Sequence, residues 1–360
     1  MGDATKIEWT HHTFNPWIGC TKVSPGCKHC YAEALTRRSP ALVHGQSGAA
    51  VVGLPVWGDA APRRVTSAAN WRQPLRWNAA AKKAGERRRV FCASLADVFE
   101  EREGLESARA RLWALIEQTP HLDWLLLTKR PMWVLPSVPW RWWRTNPGTG
   151  GTLLRRRDNY CVFCDKLGVH TEDRGEGEVH HRCATRVYGW PRNVWIGCTV
   201  EDQQRAEERL PHLLKIPAPV RFVSYEPALA AVDFRPWLPR WVETPEGPSR
   251  RRHDGGPMGE GGCIDWLIVG GESGPGARPF DLAWARAAAR QCKAAGVPVF
   301  MKQLGAAASD PPNGLAGRSL KVPPDAVELI SQRLRDPKGG DPAEWPADLR
   351  VREWPAVAGR

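Results

Sequence analysis

No stretch of the chain is long and apolar enough for a transmembrane helix; runs such as Trp124–Thr128 and Trp266–Val269 are only strand-length. The opening MGDATKIEWT lacks the basic start and apolar centre of a secretory signal. Both absences argue against a membrane partner and for the cytoplasm. Acidic residues are in deficit, 39 against 51 Lys and Arg, leaving a formal charge of +12. That balance disfavours polycationic partners and makes a polyanion a candidate, the more so because arginine dominates and suits bidentate phosphate contact. Tyrosine and phenylalanine are scarce at four and eight, so nineteen tryptophans supply most of the aromatic bulk. Ten cysteines in a reducing compartment are metal ligands or buried small hydrophobes before they are disulfides.

Short β-type runs alternate with helical patterns. The runs are 6–10, 89–94, 123–128, 193–199, 220–225, 265–271 and 298–302; helix candidates lie at 67–82, 104–118, 201–214 and 281–295, the last stopped by Gly296. Nearly continuous apolar strands separated by helices imply an α/β fold with a parallel sheet, and seven of them imply a β/α barrel, open or partial. Chemistry in that architecture gathers at the C-terminal strand ends. Those ends carry Ser94 with Asp97, Thr128-Lys129-Arg130, Thr199 with Glu201, Ser224 with Glu226, Gly270-Gly271-Glu272-Ser273 and Lys302-Gln303. Each could be a helix cap or a solvated loop. As a ring they make a polar mouth, with Lys129, Arg130, Glu226 and Lys302 as candidate catalytic residues.

The loop after the first strand holds Cys20, Cys27 and Cys30 and no fourth thiol. Structural zinc wants four protein ligands, and only His11, His12 or His29 is at hand to complete the set. A cubane iron–sulfur cluster held by three thiolates leaves one iron open for a substrate or cofactor.

Asn-Pro-Trp-Ile-Gly-Cys at 15–20 and Cys-Lys-His-Cys-Tyr-Ala at 27–32 resemble the cluster loop of radical S-adenosylmethionine enzymes, with six residues between the first two cysteines where three are common. The longer spacing, together with TKRP at 128–131, SYEP at 224–227, GGESGPGARP at 270–279 and MKQLG at 301–305, resembles a phage and prophage family named for its three-cysteine motif and described as radical-SAM-like. The resemblance implies a radical-SAM-like, TIM-type fold with Cys20, Cys27 and Cys30 on a [4Fe–4S] cluster. It also implies S-adenosylmethionine chelated at the open iron and cleaved to a 5′-deoxyadenosyl radical, and an external electron donor. Gly270, Gly271 and Glu272 would contact the methionine amino group or simply turn the chain into the next helix; here they follow the sixth strand, not the second.

Residues 145–192 interrupt the barrel rhythm, dividing it into 1–144 and 193–305. They carry Cys161-x2-Cys164, fifteen residues, then His180-x2-Cys183, a zinc-ribbon-like Zn(2+) site in which His170 or His181 could replace His180. Arg155, Arg156, Arg157, Arg182, Arg186 and Arg192 make this insertion a candidate grip on a phosphate backbone or a solvated charged face. Residues 243–263 read as a flexible Gly- and Pro-rich excursion. Cys263 is not expected to be a ligand, and Cys92, Cys198 and Cys292 fit buried positions. The extension 306–360 is irregular apart from a helical pattern at 322–336. The favoured function is a radical S-adenosylmethionine-type enzyme acting on a nucleic acid or nucleotide; the alternatives are a zinc-stabilised nucleic-acid-binding protein and a metal-dependent barrel hydrolase using Glu226 or Glu272 as base.

Overall fold

Seven parallel strands lie side by side in chain order: β1 (His12–Thr13), β2 (Arg88–Cys92), β3 (Leu122–Thr128), β4 (Val194–Thr199), β5 (Arg221–Tyr225), β6 (Trp266–Gly270) and β7 (Val299–Gln303). Each new strand joins the same edge, with the helices that pack on the sheet gathered on one face, and the sheet curls into a half-barrel. This computed structural model describes residues 5, 7–38, 56–139, 142, 190–240, 262–310 and 334–356. It also describes the backbone of strand residues 160–161, 166–167, 172–173, 179–180, 241–244 and 247–251.

The main helices are α1 (Tyr31–Arg38), α2 (Ala68–Ala84), α3 (Glu106–Gln118), α4 (Gln203–Leu213) and α5 (Leu282–Ala294). Their ends follow local chemistry. Ser67 caps α2 by accepting from the Asn70 amide, and Gly85 ends it at φ 66°. Asp202, not Glu201, caps α4, and Asp281 caps α5. Among the described residues no helix is long and apolar enough to cross a membrane.

Alternation along the strands sorts the core into two layers. Val90, Cys92, Trp124, Leu126, Ile196, Cys198, Val223 and Leu267 pack in the layer that includes the helices, with Cys292 of α5 among them. On the other face Phe91, Leu125, Trp195, Phe222, Trp266, Ile268 and Phe300 pack with Trp9. Trp266 is the hub of that concave layer, with ring centroids 6.1 Å from Trp9, 6.4 Å from Trp195 and 6.2 Å from Phe300. A side chain at Gly197 would overlap the Phe222 ring, so glycine is what lets the aromatics close up. The tryptophans thus plug the lower concave face. Further along the same face the alternation reaches Thr199, Ser224, Gly270 and Lys302, leaving the C-terminal rim for polar groups.

Several sequence expectations change here. The first strand lies at 12–13, not 6–10, because the Thr10 amide bonds the Ile7 carbonyl at 3.1 Å and the resulting turn drops Trp9 into the concave layer. The start of the proposed 243–263 excursion is regular: Arg240–Thr244 pairs antiparallel with Gly247–Arg251. Cys92, Cys198 and Cys292 are buried, as expected of small hydrophobes, and Cys263 is buried as well. The insertion contains two short antiparallel pairs, Tyr160–Cys161 with Lys166–Leu167 and Glu172–Asp173 with Val179–His180. The proposed zinc ligands Cys161, Cys164, His180 and Cys183, the alternatives His170 and His181, and the arginines at 155–157, 182 and 186 lie outside the described residues or have undescribed side chains. Most of the 322–336 helical pattern is likewise outside them, and Leu334–Asp336 are not helical.

The last segment has a role the sequence did not suggest. Met301 N donates to Val351 O at 2.8 Å and Glu353 N to Val299 O at 2.9 Å, which places residues 351–353 along the open edge of β7. Arg352 pairs with Glu8 at 2.9 Å, and Trp354 packs on Phe300 and under Arg89 of β2. This segment therefore links the last strand to the chain around the first two and covers an otherwise unpaired edge.

Candidate functional site at the mouth

The chain leaves β1 and crosses the strand ends on a scaffold that the motif residues build. Asn15 Oδ1 accepts from the Leu95 amide at 2.7 Å, while its carbonyl accepts from Asn70 Nδ2 and Thr66 Oγ1. Trp17–Ile18 pairs with Arg64–Val65. Gly19, at φ 112°, passes against the Val56 carbonyl where any side chain would collide. Asn, Trp and Gly of the motif are therefore architectural. They deliver Cys20, then a single 3-10 turn at Pro25–Cys27, then Cys30 just before α1.

Carboxylates from alternate strand exits hold this loop. After β2, Asp97 takes Arg130 at 2.9 Å, and Arg130 in turn donates to Thr21 O at 2.8 Å and to Cys20 Sγ at 3.6 Å. Glu100 accepts the Thr21 amide at 3.0 Å and pairs with Arg63 at 2.6 Å. After β4, Glu201 accepts from Ser24 Oγ at 2.5 Å and pairs with Arg209 at 2.7 Å. After β6, Glu272 faces His29 Nδ1 at 3.0 Å and pairs with Arg278, whose other nitrogen reaches Pro25 O at 2.9 Å. Each latch is a charged pair largely removed from water, and such pairs fix geometry more than they add net stability.

The titration directions follow from these contacts. Burial works against the Glu272 carboxylate, but the Arg278 guanidinium and amide and His29 outweigh it and hold it down to about 2. Glu100 is lowered in the same way, with burial overcome by Arg63, the Thr21 amide and Arg130. A lowered carboxylate contributes stability that is present above its unfolded value, 4.5 for Glu272, and lost as pH falls toward about 2. Urea unfolding between pH 5 and about 2 is thus expected to show a loss that is smaller in Glu272→Gln; identical pH profiles would remove Glu272 from the latch.

Cys20 and Cys27 are shifted in opposite directions. Burial, reinforced by Asp97, pushes Cys20 up to about 12 against the pull of Arg130. Cys27 is lowered: burial opposes its thiolate, but the Lys129 charge and hydrogen bonds from the Val23 and Ser24 backbone prevail. Among the described residues no three His, Cys, Asp or Glu side chains converge closely enough to hold a single metal ion.

The other predicted positions fall around the same rim. Glu226 accepts from Lys302 Nζ at 2.7 Å and Gln303 Nε2 at 3.3 Å, joining the exits of β5 and β7. Gly270 lies where a side chain would crowd Glu226, and Gly271 where one would overlap the Leu304 carbonyl. Lys129 is half-buried, and among the described residues no carboxylate bonds its ammonium, whereas the adjacent Arg130 is fully engaged.

Sequence reasoning missed Arg63, Glu100, Arg278 and Ser24, whose roles exist only through partners far along the chain. Gly26 was also missed. A Cβ there would run into the Glu201 carboxylate, which is wholly buried and fixed by Arg209 and cannot give way. Gly26→Ala is therefore expected to displace the cysteine turn and make the 20–30 segment more susceptible to limited proteolysis, with the sheet intact by circular dichroism. Unchanged proteolysis would mean that the turn does not depend on this approach.

A model of the family described as a protein of unknown function (DUF5131) matches residues 4–338, and the chain belongs to that family. No curated protein and no solved structure matches it.

Proposed function

We propose that this chain is a radical S-adenosylmethionine-type enzyme acting on a nucleic acid or nucleotide. The observation that carries the reading is a three-thiol loop latched across the C-terminal rim of a parallel half-barrel, with a cation, Lys129, that no described carboxylate bonds, beside Cys27. The donor set fits a [4Fe–4S] cluster in chemistry: three soft thiols, two of them next to cations, and no fourth thiol on the loop. Cys20, Cys27 and Cys30 would hold it, and when bound it would supply the electron for reductive cleavage of S-adenosylmethionine.

The chain's own groups have separable tasks. The aromatic plug keeps water from the concave face below the rim. Lys129 offers its charge to an anionic group, and the Glu226–Lys302 pair offers an acceptor and a donor to polar substrate atoms. The formal charge of +12 and the arginines of the insertion suit a polyanionic substrate. Zinc on Cys161, Cys164, His180 and Cys183 would organise that insertion.

Anaerobic reconstitution with iron and sulfide, followed by assay for 5′-deoxyadenosine with and without nucleic acid, tests the reading. About four irons per chain and 5′-deoxyadenosine formation are expected. Zinc as the sole metal would overturn it in favour of a zinc-stabilised binding protein. For the polyanion, affinity should fall linearly in log K against log salt; salt-independent association would replace nucleic acid with a small anionic substrate.

A further inference from the structure

Lys129 and Arg130 are neighbours in sequence and look interchangeable as substrate-holding cations, yet the fold gives them different work. Arg130 is buried, and both terminal nitrogens of its guanidinium are committed. Nη1 donates to Asp97 Oδ2 at 2.9 Å and to Cys20 Sγ at 3.6 Å, and Nη2 donates to Thr21 O at 2.8 Å. Asp97 is itself immobilised, since Thr128 Oγ1 donates to both of its oxygens at 2.8 and 2.9 Å and the Lys129 amide donates at 3.2 Å. The guanidinium therefore cannot swing out to a substrate without abandoning a buried carboxylate.

The geometry points to Arg130 as a redox-tuning partner of the metal group held through Cys20, with Asp97 as its opposing charge. This inference rests on the proposed cluster. Once bound, the cluster and its thiolates would gain one negative charge on one-electron reduction by an external low-potential donor. A cation and an N–H donor at a ligand sulfur stabilise that added charge and raise the potential; a carboxylate behind them lowers it. Arg130 stays protonated in both states, so no proton accompanies the electron at this position. Because one nitrogen of Arg130 touches both Asp97 and Cys20, the sulfur faces the positive end of a nearly neutral pair. Removing either end unbalances the pair in a predictable sense.

The test is an EPR-monitored redox titration of reconstituted full-length protein, with iron counted in each sample. Arg130→Gln is expected to bind iron at wild-type stoichiometry and to shift the midpoint to more negative potential. Asp97→Asn is expected to shift it the other way, and the double variant to fall between. Opposite shifts from two members of one ion pair are not what a merely structural pair gives, since loss of packing would lower iron content in both. Should Arg130→Gln not fold, Arg130→Lys keeps the charge but lacks the fork that serves three acceptors, and a smaller negative shift is expected beside the positive shift of Asp97→Asn. Midpoints that do not move, or that move in the same direction while iron stays bound, overturn the tuning role and leave the cluster standing. Failure of the wild-type protein to take up iron overturns both.

Discussion

Cys27→Ala is expected to leave a folded protein that takes up almost no iron and forms no 5′-deoxyadenosine, against about four irons per chain in the wild type. Cys27 closes the 3-10 turn that Ser24 and Pro25 open, its side chain is only partly buried, and its loss removes no core packing. Its thiol is also the one the surroundings poise for ionisation, through Lys129 and the loop's own hydrogen bonds. Ligand loss should therefore dominate over destabilisation. The parallel substitutions Cys20→Ala and Cys30→Ala should give the same loss of iron and of brown colour. Iron retained in full by Cys27→Ala would end the cluster assignment.

The largest effect on stability is expected at Glu201. Its side chain is fully buried, and Arg209 opposite is 4% exposed. Glu201→Ala would leave the guanidinium inside the protein with the Thr199 carbonyl as its one remaining acceptor among the described residues, at a cost of about 3–5 kcal/mol in urea unfolding. It would also release Ser24 and so slacken the cysteine turn. The double variant Glu201→Met, Arg209→Met removes both charges together and should recover much of the loss, because the penalty lies in the unpaired charge rather than in the missing attraction. Wild-type stability in Glu201→Ala would show that Arg209 finds another partner and that this latch is not what holds the turn.

The two variants separate what the primary structure announces from what it conceals. Alternation and length reveal the strands at 88–92, 122–128, 194–199, 221–225, 266–270 and 299–303, and with them a parallel β/α sheet, because strands buried on both faces must be apolar throughout. The four long helices appear within two residues of their predicted starts, since caps such as Ser67 and stops such as Gly85 act locally. The cysteines declare themselves by residue type and spacing, and the strand-end position of Asp97, Glu201, Glu226 and Glu272 by their place after apolar runs. What local pattern cannot carry is the partner of each charge. Glu201 and Ser24 are 177 residues apart, His29 and Glu272 are 243 apart, and Arg352 reaches Glu8 across 344. Residues marked by sequence as chemistry, Asp97, Glu201 and Glu272 among them, are turned into latches on the cysteine loop by the curl of the sheet, and Arg130 is parted from Lys129 for the same reason. The first strand moved because one turn bonded Thr10 to Ile7 and sent Trp9 inward, a choice made by the aromatic layer it joins. The amino-acid order determined which elements form and which atoms can bind metal; burial, by making every unpaired charge costly, decided which of those atoms remain free to act.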